Sequence, residues 1–206
     1  MNKILLFFKN NFKDIFKPVI VLFGICIIIP LALALTNAVT LERITELSEK
    51  SKKETMQKLI VAEEYADESY SENGKAFDYN VAKNSGRVEG YIFNTFAKGY
   101  GGTVSVMTAI DSEGKIIEVA ILDVSSETPG LGQNASKKSF YSQYEDKNGN
   151  IELIVKAKPE SGKNQVMAIS GATITSKAIN GAVNEALDNF KLINEHKDSE
   201  VTQGEE

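Results

Sequence analysis

The 206 residues carry a formal charge of −5, a single cysteine and a single histidine. A lone Cys26 excludes an intrachain disulfide and a cysteine-ligated metal or iron–sulfur centre, and a lone His196 in a polar stretch argues against a His-ligated metal or a Ser–His–Asp hydrolase. The acidic balance argues against a general nucleic-acid binder, and the length suits one anchor and one domain with a real core.

The charge is unevenly spread. Residues 1–17 hold Lys3, Lys9, Lys13 and Lys17 against Asp14, a net +3 that leaves −8 for the remainder. From Pro18 to Leu41 there is no charged residue, and "PVIVLFGICIIIPLALALTNAV" is apolar almost throughout. A helix of that length spans a hydrocarbon core of about 30 Å, and a membrane helix tolerates a kink at Pro30. The run exceeds the apolar core of a secretory signal and no A-x-A site follows it, so 18–41 reads as a retained single-pass anchor containing Cys26. The basic flank predicts a cytoplasmic N-terminus and an extracytoplasmic C-terminal domain at the cell membrane.

Beyond the anchor, Leu41–Glu68 reads as a helix, with Leu41, Ile44, Leu47, Met56, Leu59 and Ile60 at roughly helical spacing among charges. Residues 42–72 are thus expected to form a stalk or flanking helix. "ADESYSENGKAFDYN" breaks it, with a turn at Asn73–Gly74. Strands are predicted in "EGYIFNTFAKGYGG", "TVSVMTAID" and "IIEVAILDV", the last two joined by a turn at "SEGK", and again in "NIELIVKA". Strands that do not alternate with helices favour an α+β class over a doubly wound sheet. A last helix starts near Thr175, where Ala178, Ile179, Ala182, Val183, Ala186, Leu187 and Phe190 form an apolar stripe and Thr175 or Ser176 can cap the start. The domain is expected over 73–194, and 195–206 as a frayed acidic tail.

Two segments have the residues for binding chemistry. In "SSETPGLGQNASKKSF", Pro129 fixes φ, Gly130 and Gly132 permit close approach, Glu127 and Thr128 offer hydrogen bonds, and Leu131 is an apolar group held between glycines. In "AISGATITSKAING", a turn at Ser170–Gly171 delivers Ala172, Thr173, Ile174 and Thr175 to a helix N-terminus, where open N–H groups favour a phosphate. Neither a Walker loop nor a G-x-G-x-x-G fingerprint is present. Taken singly, the first segment reads as a plain surface turn and the second as a capped helix, ahead of any binding role.

Together, downstream of an anchor, "ETPGLG" and "SGATITS" resemble the paired signatures of the FMN-binding domain family found in the G subunit of the Rnf complex, an ion-translocating ferredoxin:NAD+ oxidoreductase, and in the C subunit of the sodium-pumping NADH:quinone oxidoreductase. The resemblance runs over nearly the whole chain and implies an FMN-binding domain with a mostly antiparallel sheet and flanking helices. It implies FMN held covalently, as a phosphoester on Thr173, with Thr175 the second choice. Ser170 and Ser176 would add hydroxyl donors, Gly171 and Ala172 would leave room, and Ile174 would pack. Glu127, Thr128, Gly130 and Leu131 would line the isoalloxazine ring; Tyr100 is a weaker candidate for ring contact and reads first as an ordinary sheet aromatic. The family motif usually has an acidic residue three positions before its serine, where this chain has Met167. The implied role is electron transfer within the Rnf membrane complex, with the other subunits and a maturing flavin transferase as partners, no metal, and no side chain acting as catalytic acid, base or nucleophile. The alternatives are the homologous quinone-reductase component and an anchored, non-redox assembly module.

Overall fold

The computed structural model describes residues 12–72 and 74–203. They form helix α1 (Phe12–Leu59), strands β1 (Glu64–Glu72), β2 (Lys75–Asn84), β3 (Arg87–Lys98), β4 (Thr103–Ile110) and β5 (Ile116–Asp123), a short helix α2 (Lys138–Tyr141), strands β6 (Glu152–Ile154) and β7 (Gln165–Met167), and helix α3 (Thr173–Gln203). The chain divides into two compact units, Met1–Ser51 and Lys52–Glu206. Lys3 and Lys9 of the basic tail, Asn73 of the expected turn and residues 204–206 lie outside the described residues.

In the first unit the helix carries Pro18 and Pro30 and exposes Ile20, Leu22, Phe23 and Ile28. It is long and apolar enough to cross a membrane. A continuous apolar surface of this kind is stable in lipid rather than in water. The hydroxyls of Thr36, Thr40 and Thr45 donate to the carbonyls of Ala32, Thr36 and Leu41 one turn back, which satisfies them without solvent.

In the second unit β1 to β5 form an antiparallel meander in chain order. The β4–β5 turn is set by Asp111, whose Oδ1 accepts the N–H groups of Glu113 and Lys115, and by Gly114 at φ +85°. Strand alternation then sorts the side chains. Tyr79, Val81, Tyr91, Phe93, Val104 and Val106 face the stripe of α3 that includes Ile179, Ala182, Val183 and Leu187. Ala82, Ile92, Met107 and Ala109 face the other way, against Met56, Leu59 and Ile60. This is an α+β domain with an antiparallel sheet between helical layers.

Three expectations need correction. The helix predicted over Leu41–Glu68 stops at Leu59, and Glu64–Glu72 is a strand, so the domain boundary expected at 73 falls inside a hairpin; the compact unit begins at Lys52. The corner is fixed by the Tyr65 hydroxyl, which donates to the Ile60 carbonyl (2.5 Å), and by Asn84 Oδ1, which accepts the Glu63 N–H (2.8 Å). The strand read over "NIELIVKA" is only Glu152–Ile154, paired in parallel with Gln165–Met167. Finally, α3 begins at Thr173 and continues to Gln203, through residues expected to fray. "EHKDSEVTQ" has neither glycine nor proline to stop it. His196 is not loose: its ring meets Tyr70 edge-on with centroids 6.0 Å apart, and its Nδ1 lies 3.2 Å from Glu72 Oε2.

Ile179 has no exposed surface and sits at the centre of the α3 stripe. Ile179→Ala is expected to cost about 2–5 kcal/mol, measured as a lower urea midpoint at unchanged slope.

Candidate functional site

Two loops and a helix start converge on one carboxylate. Glu127 follows β5 in a turn closed by its N–H to the Val124 carbonyl, and it is 2 % exposed. Its Oε2 accepts the Thr175 hydroxyl (2.5 Å), and its Oε1 accepts the Gly101 N–H (3.0 Å). Burial alone raises the carboxyl's pKa; the Thr175 hydroxyl and the N–H groups of Gly101, Gly102 and Tyr100 outweigh it and hold the group below its ordinary value.

This closeness depends on absent side chains. A Cβ on Gly101 would stand 1.9 Å from the Ser126 carbonyl oxygen, and one on Gly132 would stand 2.5 Å from Glu127 Oε2 and 2.8 Å from Thr175 Oγ1. The loop after β3 therefore folds onto Ser126–Glu127, and the loop after β5 folds onto α3.

The start of α3 is built differently from a side-chain-capped helix. The Ala172 carbonyl accepts the Ser176 N–H (2.9 Å), which makes Ala172 the cap residue, and a methyl group cannot accept a hydrogen bond. Among the described residues, the N–H groups of Thr173, Ile174 and Thr175 meet no acceptor. Ser176 Oγ donates to the Ala172 carbonyl and accepts the Ile169 N–H, both at 2.9 Å, which pins the preceding turn. Gly171, at φ +75°, brings that turn against Leu131.

The result is a cleft of about 540 Å³. Tyr100, Leu131 and Ile174 give it apolar walls while remaining 71 %, 42 % and 53 % exposed. Thr173 lines it, half-buried, and its hydroxyl meets no hydrogen-bond partner among the described residues. Apolar surfaces beside open N–H donors and one available hydroxyl suit a flat aromatic ring carrying a phosphate.

The structure sorts the expected site residues. Glu127, Thr128, Leu131, Gly171, Ala172, Thr173 and Thr175 line the cleft; Ser170 and Gly130 are exposed and do not. Neither Thr175 nor Ser176 caps the helix: both hydroxyls are buried and committed, to Glu127 and to the Ile169–Ala172 turn. Ser176 is thus not the phosphate donor it was expected to be. Both oxygens of Glu127 are likewise engaged within the protein, so its carboxylate braces the cleft. Ile174 lines the cleft instead of packing inward, and Tyr100 lies in the β3–β4 loop rather than in the sheet. Gly132 does permit a close approach, to Glu127 and Thr175; the N–H groups of 100–102 were not foreseen, and the crowding of glycines at 99, 101 and 102 was the available signal. Met167 is 44 % exposed, and its N–H donates to Gln143 Oε1 (2.8 Å).

Comparison with known proteins fits this geometry. Residues 99–188, which hold both loops and the start of α3, match the FMN-binding domain family. The chain is 40 % identical over 123 residues to the G subunit of the proton-translocating ferredoxin:NAD(+) oxidoreductase complex of Clostridium ljungdahlii, covering 60 % of this chain and 64 % of that one. It is 34 % identical over 192 residues to the G subunit of the Na(+)-translocating ferredoxin:NAD(+) oxidoreductase complex of Acetobacterium woodii, covering 86 % and 92 %. The chain belongs to the Rnf G-subunit family. A Methanosarcina acetivorans relative, the G subunit of an ion-translocating oxidoreductase complex, is 30 % identical over 87 % of this chain and 96 % of its own. Among solved structures, Shewanella oneidensis NqrC aligns with a TM-score of 0.48 at 19 % identity, over 53 % of this chain and 54 % of that one. The C subunit of the Na(+)-translocating NADH-quinone reductase from Parabacteroides distasonis aligns at 0.46 and 28 %, over 54 % and 59 %. Membership of the Rnf G-subunit family takes precedence over the quinone-reductase alternative, and the apolar helix of the first unit agrees with a membrane-anchored protein.

Gly132→Ala must displace the Glu127–Thr175 pair, at an expected cost of about 1–3 kcal/mol read as a lowered unfolding midpoint. Because the folded Glu127 titrates below the ordinary value of 4.5, its stabilisation is complete above pH 4.5 and is lost as the pH falls below it and through the lower folded value. Glu127→Gln is expected to flatten the dependence of Tm on pH in that acid range; an unchanged acid profile would show that the carboxylate is not braced as described.

Proposed function

We propose that this chain is an electron-transfer subunit of an ion-translocating ferredoxin:NAD+ oxidoreductase complex, and that it carries FMN as a phosphoester on Thr173 Oγ1. The observation that supports this most directly is the start of α3, where a cap position occupied by alanine leaves three N–H donors open beside an uncommitted threonine hydroxyl. In attachment, the Thr173 oxygen gives up its proton and bonds to the flavin phosphorus, displacing the leaving group of an activated flavin donor handled by a flavin transferase. The product keeps negative charge at the helix N-terminus, where the N–H groups of Thr173, Ile174 and Thr175 and the helix dipole favour it. Thr175 is the poorer acceptor: it is 1 % exposed, and its hydroxyl already serves Glu127.

Bound FMN supplies reversible electron transfer. The chain's own residues position it. Tyr100, Leu131 and Ile174 offer apolar contact to the ring and keep water from its faces, and the Glu127 brace fixes Tyr100 and Leu131 relative to the helix start. A covalent link retains the cofactor on the extracytoplasmic side, the side that the basic N-terminal flank favours for the domain. The anchor keeps it among the other membrane subunits with which it exchanges electrons.

The test is flavin fluorescence in a denaturing gel after co-production with a flavin transferase. Wild type and Thr175→Val are expected to fluoresce and Thr173→Val to be dark; a dark wild-type band beside a fluorescent control substrate would overturn the reading. Met167→Asp restores the acidic position of the family motif and is expected to raise the labelled fraction, measured by intact mass.

A further inference from the structure

A second concavity, of about 760 Å³, lies away from the cleft. Its contributions from α3, Glu185 and Asn189, stand 12 and 16 residues past Thr173, so about 18 and 24 Å along the helix axis. It exists because the sheet opens. β2 and β3 pair from Asn84↔Arg87 to Tyr79↔Phe93, and there the pairing ends. Continuing the register would join Asp78 to Asn94, Phe77 to Thr95 and Ala76 to Phe96. Instead, residues 75–78 pair only with β1, and 94–98 only with β4. The hairpin tip is drawn toward the far end of α3: Phe77 stacks on Tyr70 at 4.9 Å, Tyr70 meets His196, and His196 meets Glu72. Two strand edges therefore face an open wedge with their inward backbone groups unpaired, an arrangement that favours an added strand.

The wedge has a definite chemistry. Asp67, Glu68, Asp78 and Glu185 line it, against Lys52 alone among the cations of the described residues. Glu68 accepts the Tyr79 hydroxyl and lies 3.8 Å from Lys83, and Asp67 accepts the Asn80 amide. Asp78 and Glu185 have no ion-pair or hydrogen-bond partner among the described residues. Most telling is Asn189. It lines the wedge, is only 7 % exposed, and its amide makes no hydrogen bond among the described residues. Its amide atoms are not sealed from the cavity, so a ligand there has both a donor and an acceptor to meet. Phe96, 58 % exposed, adds an apolar contact at the same place.

We infer that this wedge receives an extended segment of a neighbouring subunit, which adds to the free edge of β3 at Asn94–Lys98 and presents lysine or arginine side chains to Asp78 and Glu185. Unpaired backbone calls for a strand, and uncompensated carboxylates call for a basic one. The inference rests on the reading of this chain as a subunit of a membrane complex.

The experiment places the photo-reactive amino acid p-benzoylphenylalanine at position 96 of the full chain and irradiates the purified complex, with cross-linked peptides identified by mass spectrometry. If other subunits do not co-purify, the complex reading itself fails. If they do, the expected product is a cross-link to a non-helical, lysine- or arginine-bearing segment of one of them. Adding Asp78→Lys and Glu185→Lys should cut its yield about tenfold or more, as like charges replace opposite ones, with flavin fluorescence of the band unchanged. An intact complex that gives no cross-link, a cross-link to lipid or to an uncharged or acidic segment, or a yield indifferent to the two lysines overturns the inference.

Discussion

A carboxylate withdrawn from water must be met by donors, and Glu127 is met from two sides: by the main chain of the β3–β4 loop and by a hydroxyl from the first turn of α3. Those contacts tie together three segments that are far apart in sequence. Without them the "KGYGG" loop, the "ETPGLG" loop and the helix start would each be an ordinary surface feature. With them, Tyr100, Leu131 and Ile174 become walls of one cleft, and Thr173 stands at its edge. The four glycines at 99, 101, 102 and 132 serve this single purpose, since a Cβ at any of them would stand within 3.0 Å of Ser126 or Glu127 atoms.

Much of this was legible in the sequence. The stripe from Ala178 to Phe190 fixed the face of α3, alternation identified β4 and β5, and the two glycine-bearing motifs located the cleft. The β1–β2 hairpin was not legible. "EYADESYSE" puts charged and polar groups on both sides of an edge strand, so it offers no period-2 apolar signal and reads as a continuation of the helix before it. Its one deeply buried residue, Tyr70, gains meaning only once α3 lies beside it.

The hydroxyls were misassigned for a related reason. Ser, Thr and their neighbours at a helix start carry the same sequence signal whether they cap, bind a ligand or brace another segment. Only a partner distant in sequence separates these roles: Thr175 and Glu127 are 48 positions apart. The cap residue proved to be Ala172, which no propensity argument would select, because open donors help only when something outside the chain fills them.

Ser176 also determines how Thr173 is presented. Its oxygen takes the Ile169 N–H and gives its proton to the Ala172 carbonyl, so the turn before the helix is closed into a ring by a residue from inside the helix. The threonine's position is therefore set by the folded domain. Its ordering entropy is spent in folding and not at the moment of encounter. Under the proposed attachment, an enzyme acting on Thr173 would meet a shaped surface, and the same fourteen residues cut out as a free peptide would carry the letters of the motif without its geometry.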